Sequence, residues 1–239
     1  MINKFWNFKE NDSGETELIF NGPIAEKSWL GDEITPAAFR DDLSKVSGNL
    51  TVWLNSPGGD VFAASQIYTM LRNHKGKVTV KIDGIAASAA SVIAVAGDVT
   101  LITPTGMLMM HNPATLAMGN KSDMEQAIKL LEEVKESIIN AYEEKTHLSR
   151  NKIAKMMDDE TWLNAKKAMS LGFVDGILFA DKKKDEQPDK EGEKTEDISA
   201  MSYSAVASMD SLMRKLSDMY QPIKGTPIDQ LDKRLSLLK

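Results

Sequence analysis

Between residues 51 and 96 the chain twice passes from a β-rich run, through a turn of small residues, into a helix, and this repetition restricts the fold more than any other feature. In the first pass, Thr51 to Leu54 leads through Asn55-Ser56-Pro57-Gly58-Gly59 into Val61 to Leu71, which has helical spacing. In the second, Val78 to Ile82 leads through the small residues Gly84 to Ala87 into Ser88 to Ala96, a stretch almost entirely small or apolar. A helix without a polar face is a buried one. Strands alternating with helices predict a mainly parallel sheet covered by helices, an α/β domain.

The flanking sequence extends that pattern. Leu18 to Gly22 reads as a short strand closed by a turn, and Thr35-Pro36 as an N-cap followed by proline at the first helical position. Val99 to Thr103 and Met107 to Met110 are further β-like runs ahead of His111-Asn112-Pro113. A long helix is expected to start at a capping box formed by Ser122 to Glu125, with Met124, Ile128, Leu131, Ile138 and Tyr142 as its apolar stripe. Ser149 and Asn164 are candidate caps of two shorter helices, and Gly172 is a C-terminal stop before Phe173-Val174-Asp175. From Asp181 to Asp197 the chain is charged and nearly devoid of apolar residues, a composition that cannot fold alone. Three parts are therefore expected: a domain over residues 1–180, a charged linker over 181–200, and a tail over 201–239. Met209, Leu212, Leu216 and Met219 put a helical interaction stripe in that tail.

Composition excludes several classes of function. A net charge of -6 supplies no general positive field for a phosphate backbone, so nucleic acid is not an expected partner. With no cysteine, disulfides, thiolate nucleophiles and cysteine-based zinc sites are out of reach. The first ten residues lack an apolar core of signal-peptide length, and no run approaches the roughly 20 apolar residues of a membrane span. The expectation is a soluble, cytoplasmic protein with no membrane partner.

Only three histidines are available as general bases. His74 follows a helix and His147 lies between two, positions where a solvated residue is the simplest reading. His111 ends an apolar strand where the chain must leave the sheet, and strand ends of α/β proteins face the ligand crevice. Ser88 lies where the second strand enters its buried helix, among neighbours small enough for a peptide carbonyl to approach. Helix-start N–H groups beside it could receive a developing oxyanion, although an ordinary N-cap serine would look the same. Ser91 is the weaker candidate because it falls inside the helix. The Gly58-Gly59 turn frees backbone N–H groups for an oxyanion or an extended peptide, and it lacks the Lys-Ser/Thr of a phosphate-binding loop. A supporting carboxylate could come from Asp158, Asp159 or Glu160, among which residue type alone does not choose.

Asn55-Ser56-Pro57-Gly58-Gly59, Gly84-Ile85-Ala86-Ala87-Ser88, Met110-His111-Asn112-Pro113 and the segment from Thr161-Trp162-Leu163-Asn164-Ala165 to Gly172-Phe173-Val174-Asp175 together resemble the Clp protease proteolytic subunit, in order and in spacing. The likeness spans about residues 15 to 180. Within that family the chain looks most like the phage head maturation proteases, which combine such a domain with a glutamate-threonine-tryptophan motif and a charged C-terminal extension. The resemblance implies the Clp protease/crotonase-like fold: repeated β-β-α units, a mainly parallel sheet and a protruding long helix. It makes Ser88 the nucleophile and His111 the general base, with the N–H groups of Gly59 and Ala89 as the oxyanion hole. The family aspartate falls on Glu160, with Asp159 as the alternative. No metal or cofactor is implied.

The same resemblance implies a homo-oligomer built of rings, joined through the helix corresponding to Ser122 to Lys145. Its substrates would be scaffold and capsid protein in an assembling procapsid in the host cytoplasm. The N-terminal segment does not resemble the family's axial loops, which argues against docking to an unfolding ATPase. Competing readings are a host-type Clp peptidase served by such an ATPase and a non-catalytic Clp-fold module for capsid assembly. A Ser-Lys peptidase of the signal-peptide-peptidase type and an acyl-CoA-handling relative fit less well, because neither needs the Ser88 and His111 pair.

Overall fold

The computed structural model describes residues 8–10, 16–25 and 35–180, so the expected linker and tail lie outside the described residues. A short strand β1 (Phe8–Glu10) runs antiparallel to β2 (Thr16–Asn21). Helix α1 (Pro36–Leu43) begins as expected, with Pro36 in its first turn and the Thr35 hydroxyl accepting the Ala38 N–H at 3.3 Å. Two strand–helix units follow: β3 (Leu50–Ser56) with α2 (Val61–Arg72), then β4 (Val78–Ala87) with α3 (Ala89–Ala94). Then come β5 (Val99–Ile102), β6 (Met107–Met110), the 26-residue α4 (Lys121–Thr146), α5 (Arg150–Asp158), β7 (Thr161–Asn164), α6 (Ala165–Ser170) and β8 (Gly176–Ile177).

The strands form one sheet in the order β1-β2-β3-β4-β5-β8, parallel from β2 onward. This is the expected α/β architecture. Period-two alternation sends Leu50, Val52 and Leu54 of β3 and Val78, Val80 and Ile82 of β4 into the core, each 1% exposed or less. All six residues of α3 are buried, because small side chains let it press against the sheet.

Two expectations need correction. The residues Gly84 to Ala87 form no turn: they continue β4, whose first half pairs with β5 and whose second half pairs with β6. The register slips between Leu54 and Ser56 of β3, and the Asn55 side chain fills the slip by accepting the Ile85 N–H at 3.1 Å. Gly84 is glycine for this reason, since a Cβ there would lie 2.5 Å from the Asn55 Oδ1. The cap of α4 is Asn120 and not Ser122: Asn120 accepts the Ser122 and Asp123 N–H groups, and Asp123 accepts the Asn120 N–H.

Helix α4 packs along only part of its length. Val134, Ile138, Ile139, Ala141 and Tyr142 are buried, whereas Ile128 and Leu130 are 56% and 51% exposed. The expected apolar stripe therefore meets the core only in the second half of the helix, and the first half projects from it. No helix among the described residues is long and apolar enough to cross a membrane.

Candidate active site

Ser88 occupies the single residue between β4 and α3, with φ 53° and ψ -126°. A non-glycine residue there is strained, and such strain collects at functional sites. The ordinary N-cap reading fails, because the Ser88 side chain makes no capping bond to α3. Its hydroxyl instead lies 2.7 Å from Nε2 of His111.

Strand pairing explains how residues 23 apart in sequence meet. Ala87 of β4 stands opposite Met109 of β6, and the Ser88 N–H donates to the Met109 carbonyl at 3.0 Å. The chain leaves both strands at the same end of the sheet, which places the serine and the histidine side by side. His111 is partly buried, and that burial holds its pKa below the usual imidazole value, against an opposing pull from the negative charge of Glu160.

The same logic brings in Glu160. Strand β7 runs antiparallel to β6 with Thr161 opposite Met110, so one further step sets Glu160 against His111. Glu160 has φ 45° and sits at the turn from α5 into β7, and the Trp162 indole N–H points at its Oε1 from 3.4 Å. The neighbouring carboxylates are committed elsewhere. Asp158 accepts from Lys135 at 2.5 Å and Asn112 at 2.9 Å, contacts that hold its carboxyl below the ordinary carboxylate range. Asp159 is mostly exposed and accepts from Lys155 at 3.0 Å.

The glycine turn after β3 closes the other side. Gly58 and Gly59 have φ 93° and 144°, and Ile24 bridges to Gly59 through bonds to the Gly58 carbonyl and the Asp60 N–H. That bridge leaves the Gly59 N–H out. Ala89 opens α3, so its N–H has no partner within the helix. A Cβ on Gly58 would lie 2.6 Å from the Ala87 carbonyl oxygen, 2.8 Å from the Ser88 Cβ and 2.9 Å from the Ala89 nitrogen. Gly58→Ala must therefore displace the Ser88 turn; we expect it to destabilise the chain by about 1–3 kcal/mol in urea unfolding and to abolish reaction of Ser88 with an active-site phosphonylating reagent.

The other histidines are engaged away from this crevice. His74 Nε2 lies 2.7 Å from the Gly48 carbonyl oxygen in an exposed contact, and His147 caps α4 in a left-handed conformation with φ 57°. Among the described residues no group of three or more His, Cys, Asp or Glu is arranged to hold a metal ion. Three side chains make contacts that the sequence does not announce: Asn112, which ties the turn after His111 to Asp158, Trp162 beside Glu160, and Tyr142, whose hydroxyl the apolar stripe conceals. Asn112 and Trp162 stand in the motifs that carry the resemblance, but those motifs name no partner for them.

Chemically, a hydroxyl in contact with a largely neutral imidazole can lose its proton on attacking a carbonyl carbon, and a facing carboxylate can stabilise the resulting imidazolium. The chain is similar to known proteins over most of its length. The Clp protease family model matches residues 32–181. The chain is 31% identical over 168 residues to the ATP-dependent Clp protease proteolytic subunit 1 of Chlamydia trachomatis, covering 68% of this chain and 86% of that protein. It is 30% identical to the protein of the same name from Chlamydia muridarum, with the same coverage, and 26% identical to the ATP-dependent Clp protease proteolytic subunit of Deinococcus radiodurans, covering 67% of this chain and 79% of that one. The chain belongs to the Clp protease family, a family of serine-type endopeptidases.

Proposed function

We propose that the protein is a serine endopeptidase in which Ser88 is the nucleophile, His111 the general base and Glu160 the carboxylate that orients and stabilises the imidazole. The observation that carries this reading is the 2.7 Å contact between Ser88 Oγ and His111 Nε2. With its proton on Nδ1, His111 accepts the Ser88 proton at Nε2 as Oγ attacks the peptide carbonyl. The tetrahedral oxyanion is received by the N–H groups of Gly59 and Ala89. His111 then returns the proton to the leaving amine, an acyl-enzyme remains on Ser88, and a water activated by the same imidazole releases the acid.

The catalytic unit spans residues 1–180, followed by the charged linker 181–200 and the tail 201–239. Its partners are copies of itself in a ring. The exposed Ile128 and Leu130 on the projecting half of α4 support such contacts, because apolar side chains on a projecting helix are suited to burial against a neighbour. The substrates are scaffold and capsid protein of a phage head, a reading supported by the glutamate-threonine-tryptophan motif and the charged extension after residue 180. A second reading has its own support: the relatives named above are ATP-dependent Clp protease subunits, which favours a peptidase fed by an unfolding ATPase.

Intact-mass analysis after fluorophosphonate treatment tests the chemistry, and a co-expressed capsid precursor tests the substrate. The expected result is one adduct and precursor cleavage in the wild type, with both lost in Ser88→Ala and His111→Ala. An adduct with the precursor uncleaved, and cleavage of a folded protein only with an added Clp ATPase, would select the second reading. No adduct and no cleavage would leave a non-catalytic assembly module.

A further inference from the structure

Beneath Ser88 a second serine is turned toward the interior. Ser91, three residues along α3 and fully buried, places its Oγ 2.5 Å from the Ser88 carbonyl oxygen and 2.6 Å from the Tyr142 hydroxyl. The proton order is forced. A carbonyl oxygen can only accept, so the Ser91 hydroxyl donates to it, and the Tyr142 hydroxyl must donate to Ser91 in turn. Burial pushes the Tyr142 pKa up to about 12, so the phenol keeps its proton. The Ser88 carbonyl also accepts the Ser91 N–H at 2.9 Å.

Tyr142 is itself held firmly. Its ring packs edge-on against Phe173 at 5.6 Å, and the Thr146 hydroxyl donates to its carbonyl at 2.6 Å. Alanine at 91 and phenylalanine at 142 would fill this space without burying two hydroxyls. Burying such groups is costly unless both are bonded, so their bonding to the nucleophile's own carbonyl calls for a reason.

Peptide planarity supplies one. The Ser88 carbonyl and the Ala89 N–H belong to one trans peptide and point in opposite directions. Tying the carbonyl into the core turns the N–H away from it, toward the side where Gly58 packs. It also restrains Ser88 in its strained, positive-φ backbone conformation. We infer that Ser91 and Tyr142 are positioning residues: a hydrogen-bond chain from α4 to the Ser88 carbonyl that sets the orientation of the Ser88–Ala89 peptide, and with it the nucleophile and an oxyanion donor. The inference rests on the reading of Ser88 as nucleophile.

Steady-state kinetics on a peptide substrate, using the full chain, separates the two. Ser91→Ala is expected to lower kcat by about 10-fold to 100-fold with KM within about twofold, as a displaced oxyanion donor would. Tyr142→Phe should lower kcat by a smaller factor of about 3 to 10, because Ser91 keeps its bond to the carbonyl but loses the group that aims it. The double variant should match Ser91→Ala, since the tyrosine acts only through the serine. A purely structural role would lower the melting temperature of both variants and leave kcat unmoved. Wild-type kcat in both, with Ser88→Ala inactive, overturns the positioning role and leaves the peptidase reading intact. Full turnover in Ser88→Ala overturns the peptidase reading, and this inference with it.

Discussion

Ser88→Ala is expected to lower kcat for peptide cleavage by at least about 10⁴-fold while leaving the fold intact. On the proposed mechanism the hydroxyl oxygen is the atom that becomes acylated, and the backbone donors and substrate contacts that remain stabilise only an attack by water. The Ser88 side chain makes no helix-capping bond, and among the described residues its one hydrogen bond is to His111. Losing a bond of this kind costs about 0.5–1.5 kcal/mol, and alanine meets the same strain as serine at φ 53°. Peptide turnover and thermal unfolding on the same preparation make the check. A variant that unfolds with the wild type but no longer cleaves is the expected result. Turnover within tenfold of wild type would remove Ser88 from the chemistry.

How far the sequence could be read depended on whether a feature is local. Helix α3 was legible because a run without polar residues has only the interior to occupy, and all six of its residues are buried. The Ser88 and His111 pair was legible because each stands at a strand end, and a parallel sheet gathers such ends on one side. The end of β4 was not. Asp83-Gly84 has the residue types of a turn, but the glycine serves to admit the Asn55 side chain from the neighbouring strand, a partner 29 residues away. The cap of α4 was misplaced by two residues because Asn120 and Ser122 are both good caps, and the choice between them depends on where Asp123 points. The three carboxylates are set apart in space by the register of β7 on β6, and β7 is four residues of sequence with no alternation to announce it. Tyr142 fits the apolar stripe of α4 by its ring, and helical periodicity carries no sign of the hydroxyl that meets Ser91.

That register makes the carboxylate testable, and the sign of the effect on pH dependence is its strongest signature. His111 must be neutral to accept a proton, so kcat/KM should rise with pH through the imidazole pKa of the free enzyme. Burial already holds that pKa below its usual value, and the negative charge of Glu160 opposes the shift. Glu160→Gln removes the opposing charge and keeps the shape. The imidazolium is then harder to form, the pKa falls further, and the acid limb of the profile moves to lower pH. The plateau should fall at the same time, by about 10²-fold to 10⁴-fold, because the imidazolium that forms during attack has lost its stabilising partner and its fixed tautomer. Asp159→Asn should change neither the limb nor the plateau by more than about twofold, since that carboxylate is exposed and paired with Lys155. A reduced plateau alone is what any disturbance of the crevice would produce. A reduced plateau together with an acid limb displaced downward follows only from removing a negative charge that acts on His111. If Asp159→Asn gives that combination and Glu160→Gln does not, the orienting acid is Asp159, and the turn into β7 rearranges when substrate binds.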